Sequence, residues 1–186
     1  MRQVVIFAVV VAFFPCFAFG AEYLEKVESD VFEASGSKPE LAKRGKFCIS
    51  STVRNEEVRI SDSTAGTGPL GSVGEGHSGG VTGGDVFVDI DIEAGIITAN
   101  NRVDYESKLL AHNVKSTMTF LAKDGRFKIQ HTNIEQVQKN TGYMHNTGYM
   151  RVGKWWGSGW KDVEKALVDI SSKVAECVIS GPKEDW

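Results

Sequence analysis

The stretch DVFVDIDIEAGIITANNRV, residues 85–103, decides how this chain reads. Val86, Val88, Ile90 and Ile92 alternate with Asp85, Phe87, Asp89 and Asp91, the period-two pattern of a strand with one buried face. Glu93-Ala94-Gly95 turns the chain, and Ile96 to Val103 forms a second strand. Val114, Ser116, Met118 and Phe120 share one face of a third strand, with Lys115, Thr117 and Thr119 on the other. Asp124-Gly125 is a hairpin signal, because both central positions of the favoured turn need positive φ. A fourth strand follows, with Phe127, Ile129 and His131 on one face. Four antiparallel strands with one apolar face require a cover.

The C-terminus supplies it. Val163, Leu167, Ile170, Val174 and Cys177 step by three or four residues, Ala166 and Val178 widen the stripe, and Gly181-Pro182 ends the helix. At the other end, Tyr23 to Phe32 reads as an N-terminal strand. Ser37-Lys38-Pro39-Glu40 opens a helix running to about Ser50: Ser37 and Glu40 form a capping box, and Pro39 sits in the first turn, where no amide donor is needed. Leu41, Cys48 and Thr52 share one side of it, and Gly45 weakens it by about 1 kcal/mol relative to alanine. The expected fold is a single α+β domain over 21–180. It is a curved antiparallel sheet, a meander of about four strands plus the N-terminal one, covered on one face by two helices, with 181–186 as a tail.

These turns carry a resemblance. Ser37-Lys38-Pro39-Glu40-Leu41 opening a helix, the strand Val86–Ile92, Glu93-Ala94-Gly95-Ile96-Ile97 and Lys123-Asp124-Gly125-Arg126-Phe127 resemble an uncharacterised family of exported bacterial domains over roughly residues 24–135. That family is described as having a TBP-like fold, so the resemblance implies a curved antiparallel sheet backed by helices. It implies no reaction and no catalytic residues. A fold label does not bring DNA binding with it.

Residues 62–85 differ in kind. Nine glycines lie among serine and threonine, which reads as a flexible loop. Two G-x-G-x-x-G matches, at Gly66–Gly71 and Gly74–Gly79, lack the strand-to-helix junction that a dinucleotide site needs, and glycine density explains the spacing.

Residues 1–20 read as a cleaved secretory signal. Arg2 gives the positive start, Val4 to Phe14 an apolar run too short to span a bilayer, and Ala18-Phe19-Gly20 the small residues of a cleavage site. Phe13-Phe14-Pro15 does not fit a lipidation motif ahead of Cys16. Cleavage near Gly20 leaves a chain with no membrane span, a formal charge of -4 and no polybasic run, which excludes general attraction to nucleic acid. The expected compartment is periplasmic or extracellular. Cys48 and Cys177 remain, and two readings stay open: a disulfide, or two buried free thiols.

For chemistry, His77, His112, His131 and His145 show no H-x-H or H-x-x-x-H spacing, and no C-x-x-C is present, so neither metal nor other cofactor is expected. His131 reads as a hydrogen-bonded histidine at the sheet margin rather than a catalytic imidazole. Asp85, Asp89 and Asp91 read as a solvated strand face rather than a cation site. The unusual segment is 139–160, where Asn140-Thr141-Gly142-Tyr143-Met144 repeats as Asn146-Thr147-Gly148-Tyr149-Met150 ahead of Trp155, Trp156 and Trp160. It reads either as an exposed stacking platform or as a flap that buries the tryptophans. Burial is the favoured alternative, because monomers seldom expose large apolar patches. Tyr143, Tyr149, Trp155 and Trp156 are the candidate ligand-binding residues, for an unknown envelope protein or glycan. A non-catalytic binding or interaction module is favoured. The alternatives are an enzyme acting on an envelope polymer and a structural accessory domain of an envelope assembly.

Overall fold

The computed structural model describes residues 22–61, 78–81, 83–142 and 146–181; residues 1–20, expected from the sequence to be a secretory signal, lie outside them. The strand expected over Tyr23–Phe32 is two short ones, β1 (Lys26–Glu28) and β2 (Phe32–Glu33). Ser29 causes the break. Its backbone N–H donates to the Ile129 carbonyl and its hydroxyl accepts the Ile129 N–H, both at 2.9 Å. One residue thus answers both polar groups of Ile129, and Asp30 and Val31 fall outside the ladder.

Helix α1 (Lys38–Thr52) opens where its capping signal lies and runs two residues past Ser50. The Glu40 carboxylate accepts the Ser37 N–H at 2.7 Å and the Ser37 hydroxyl at 2.8 Å, which holds its pKa below the usual range. The Lys38 N–H donates to Asp124 Oδ1 at 2.7 Å, tying the helix start to the turn expected at Asp124-Gly125. The buried side is Leu41, Ala42, Gly45, Cys48 and Ile49. Gly45 permits a close approach: a Cβ there would meet three ring atoms of Phe120 at 2.7–3.0 Å. Its cost to helix propensity is offset by packing α1 directly onto the sheet.

The glycine-rich stretch is not loop throughout. Strand β3 (Val58–Ser61) pairs antiparallel with β4 (Ser78–Val81), while 62–77 lie outside the described residues. Gly79 and Gly80 bring only backbone to this ladder, so its pattern carries no alternation to read. Val58, Ile60 and Val81 hold it in place against Val137 and Tyr149.

Strands β5 (Phe87–Asp91), β6 (Ile96–Ser107), β7 (Leu110–Lys123) and β8 (Arg126–Gln138) form the expected antiparallel meander. The sheet order is β1-β8-β7-β6-β5, and β2 and β9 (Met150–Arg151) also pair with β8. Two details differ from expectation. A bulge between Phe87 and Asp89 turns Phe87 toward the core beside Val86 and Ile90, leaving Val88 59% exposed. Strand β6 also continues four residues past Val103, because its turn is Lys108-Leu109, with none of the usual turn residues.

Helix α2 (Trp160–Ser180) buries Val163, Ala166, Leu167, Ile170, Val174 and Val178 on the sheet, as its stripe implies. Toward β5, Ile97, Met118, Phe120, Phe127 and Ile129 pack with α1 and the second half of α2. Toward the start of α2, Val114, Ile134, Val152, Leu24 and Val27 pack with Val163 and Leu167. Each fully buried aliphatic contributes about 1.5–3 kcal/mol. Cys48 and Cys177 are bonded with Cα atoms 5.7 Å apart, so the free-thiol reading falls and α1 is fastened to α2. No helix among the described residues is long and apolar enough to cross a membrane.

Candidate functional site

Two turns meet at one end of the sheet. The Leu24 N–H donates to the Val152 carbonyl and the Lys154 N–H to the Glu22 carbonyl, at 2.7 and 2.8 Å, which fixes the chain as it leaves β9. Gly157 and Gly159 then take φ of 90° and 78°, a conformation open to glycine, and swing it into α2. Against this turn leans the β6–β7 hairpin. Lys108 Nζ donates to the Gly157 carbonyl at 2.9 Å, and the Ser107 hydroxyl donates to Asp162 Oδ2 at 2.5 Å. Two bonds from adjacent residues lock the hairpin to the turn.

On this frame stand bare apolar side chains. Trp156 is 99% exposed and Leu109 97%, with Trp155 at 52% and Leu110 at 45%. Trp155 rests edge-on against Tyr23 at 6.2 Å, and the Arg151 guanidinium covers that tyrosine at 4.2 Å. Lys108 and Leu109 hold φ of 51° and 66°, which costs L-residues about 1–2 kcal/mol each. Strained backbone that presents a leucine to water is the kind of local cost that accompanies binding surfaces.

The four candidate residues do not act together. Trp155 and Trp156 form the tip. Tyr143 lies outside the described residues. Tyr149 is half-buried elsewhere, its hydroxyl donating to Asn113 Oδ1 at 2.6 Å and its ring lying under Lys115 Nζ at 4.7 Å. Burial, favoured from the sequence, holds only in part: Trp160 packs against the core as α2 begins, while Trp156 stands in solvent. Leu109 and Lys108 were not among the candidates. Their turn has no glycine, asparagine or aspartate to mark it.

His131 is sealed inside rather than at a margin, with no exposed surface. Ser171 Oγ donates to the Leu167 carbonyl at 3.0 Å, so it accepts from His131 Nε2, 2.9 Å away. The Nδ1 then accepts from the Ser116 hydroxyl at 3.0 Å, and Ser116 Oγ accepts from Asn101 Nδ2 at 3.2 Å. The chain of donors fixes one tautomer and joins β6, β7, β8 and α2. Burial depresses the imidazole pKa to about 4, partly countered by the Leu167 carbonyl, so the ring is neutral near pH 7. Asp89 and Asp91 point to solvent on β5, Asp91 capping the Ala94 N–H at 2.8 Å, and Asp85 precedes the strand. Among the described residues no group of three His, Cys, Asp or Glu is placed to hold a metal ion. His112 Nδ1 lies 2.9 Å from the Leu110 carbonyl, and its ring stacks on Tyr105; His77 and His145 lie outside the described residues.

Two solved structures align with the chain. A TBP-like protein from Parabacteroides distasonis aligns with a TM-score of 0.50 at 11% identity, over 82% of this chain and 91% of that one. A DUF4468 family protein from Bacteroides ovatus aligns with a TM-score of 0.47 at 12% identity, over 87% of this chain and 89% of that one. No family model matches the sequence, and no curated protein does. The chain therefore has the TBP-like α+β fold, and the likeness speaks to the fold alone.

Proposed function

We propose that this protein is an exported, envelope-facing binding module without a catalytic role, and that it docks a partner protein through the Trp156–Leu109 tip. The observation that carries this reading is the pair of large apolar side chains at 99% and 97% exposure on two turns locked to each other. Tryptophan is the residue most enriched at the energetic centre of protein interfaces. A preformed tip loses little freedom on binding. The bond between Cys48 and Cys177 supports an oxidising compartment, in keeping with the signal-like residues 1–20. Against a catalytic role for His131 stands its place in the core, where it is neutral near pH 7 and has no exposed surface.

Burying Trp156 stabilises a complex by about 1.5–3 kcal/mol, so Trp156→Ala weakens partner binding roughly tenfold to a hundredfold. The test is site-specific photo-crosslinking in the native host, with benzoylphenylalanine at position 156 and, as control, at exposed position 43. The reading expects one discrete protein adduct from position 156, abolished by Leu109→Asp and absent from position 43. No adduct, or the same adduct from both positions, contradicts it.

A further inference from the structure

Strand β6 runs 12 residues, yet its outer neighbour β5 pairs with it only from Ile96 to Ala99. The chain bends at Val86, whose carbonyl accepts the Asn100 N–H at 2.7 Å, and the Asn100 carbonyl accepts from Asn55 Nδ2 at 3.1 Å. Past Asn100 the direction of each backbone group follows from the hairpin. Lys108-Leu109 is a two-residue turn, so Ser107 and Leu110 close it as a hydrogen-bonded pair, and Tyr105 and Val103 bond to His112 and Val114 in the same way. The residues between them point outward, as Asn100 does. The N–H and carbonyl groups of Asp104 and Glu106 therefore face away from β7, with no partner among the described residues. An open edge of this kind is a template for another strand.

A groove of about 340 Å³ runs between this edge and α2. Val103 on β6 with Ala166 and Ile170 on α2 supply its apolar part. A strand laid along β6 sends every second side chain toward α2, into this groove. The others fall on the opposite face, beside Asp104 and Glu106.

Charge selects the occupant. On the α2 wall Asp162 and Asp169 balance Lys165 and Lys173, so the edge sets the sign. Arg102 reaches away to the Val81 carbonyl at 3.3 Å, and Asp104 is matched by Lys139. Glu106 is exposed and has no ion pair among the described residues. Opposite charges facing each other across a strand pair stabilise it, and like charges destabilise it. That disfavours a second copy of this chain, because β6 paired with itself through 104–106 sets carboxylate against carboxylate. We infer that this edge docks an extended peptide segment of a partner protein, which adds a strand to β6 over 103–107. Its small apolar side chains lodge over Val103, Ala166 and Ile170, and a lysine or arginine faces Glu106. Main-chain bonds supply the affinity and the alternate side chains the specificity. The inference does not rest on the apolar tip.

Amide hydrogen exchange of the folded protein, followed by NMR, tests this, first alone and then with the synthetic peptides acetyl-KVKVKVK-amide and acetyl-EVEVEVE-amide. Alone, the Asp104 and Glu106 amides should exchange fast while those of Val103 and Tyr105 are protected. The lysine peptide should bind saturably, with a Kd between about 10 μM and 1 mM, and slow the Asp104 and Glu106 amides about tenfold or more. The glutamate peptide should do neither. Glu106→Gln should weaken binding about threefold. Glu106→Pro removes only an outward N–H, which an edge strand tolerates, and should weaken binding about tenfold or more while unfolding stays cooperative. The inference is overturned if the Asp104 and Glu106 amides are as protected as their neighbours in the protein alone, or if the lysine peptide does not bind or binds without slowing them. It is overturned equally if the glutamate peptide binds as tightly, or if the folded proline variant binds undiminished. Protection of these amides that rises with protein concentration in the absence of peptide overturns it in favour of a second copy.

Discussion

Replacing Cys48 and Cys177 together by alanine lowers the unfolding free energy by about 5 kcal/mol, the largest single effect expected in this molecule. The bond closes a loop 129 residues apart in sequence, which spans nearly the whole sheet. Opening it frees the unfolded chain without altering the meander's own ladder. Cys48 is fully buried in the main core cluster and Cys177 packs against that cluster, so the alanines also leave a small cavity between α1 and α2. For a chain of this size the loss corresponds to a melting point lower by about 10–20 °C. Calorimetry of the wild type with and without reductant, beside the double variant, checks it. A melting point unchanged by both treatments would remove the bond from the account of stability.

The second large effect is an acid-sensitive stability centred on His131. Its pKa is about 4 in the folded protein and about 6.5 when unfolded. Above pH 6.5 both states are neutral and stability is complete. As pH falls from there, the unfolded state takes a proton that the folded state refuses, and stability drops until about pH 4, where both bind it. The total is about 3 kcal/mol. His131→Gln keeps a hydrogen-bonding side chain but does not titrate, so its urea-unfolding free energy should fall less steeply over this window. Parallel slopes for wild type and variant would show that His131 is not the group responsible. Glu28 and Glu40, both lowered by hydrogen bonds, act at lower pH and in both proteins alike.

The meander and α2 were legible because their apolar residues repeat at the period of the element that buries them. Val114, Met118, Phe120, Phe127 and Ile129 lie on the predicted face, and Val163, Leu167, Ile170 and Val174 cover it. Three features left no such trace. The β3–β4 ladder runs through Gly79 and Gly80, which contribute backbone and no pattern. Ser29 breaks the N-terminal strand by satisfying Ile129 twice, a tertiary event that local propensity does not record. Lys108-Leu109 adopts positive φ against the preference of both residues, so the hairpin was hidden.

The site was half legible for the same reason. A run of aromatics announces that something is packed or presented, but the choice depends on what stands beside it. Trp160 finds the α2 core, Tyr149 finds Asn113 and Lys115, and Trp156 finds only water. His131 could be placed on the apolar face of its strand and Ser116 on that of the strand before it, whereas nothing in the sequence singles out Ser171. Its role as acceptor for the imidazole emerges once β8 and α2 are packed.

The binding-module reading stands on Trp156 facing water. A chain carrying Trp155→Phe, Trp160→Phe and Trp186→Phe isolates that indole as the sole tryptophan emitter. Its fluorescence should match free tryptophan in wavelength, with acrylamide quenching nearly as fast as for N-acetyltryptophanamide. Blue-shifted emission that acrylamide scarcely reaches would place the ring inside the protein and end the proposal.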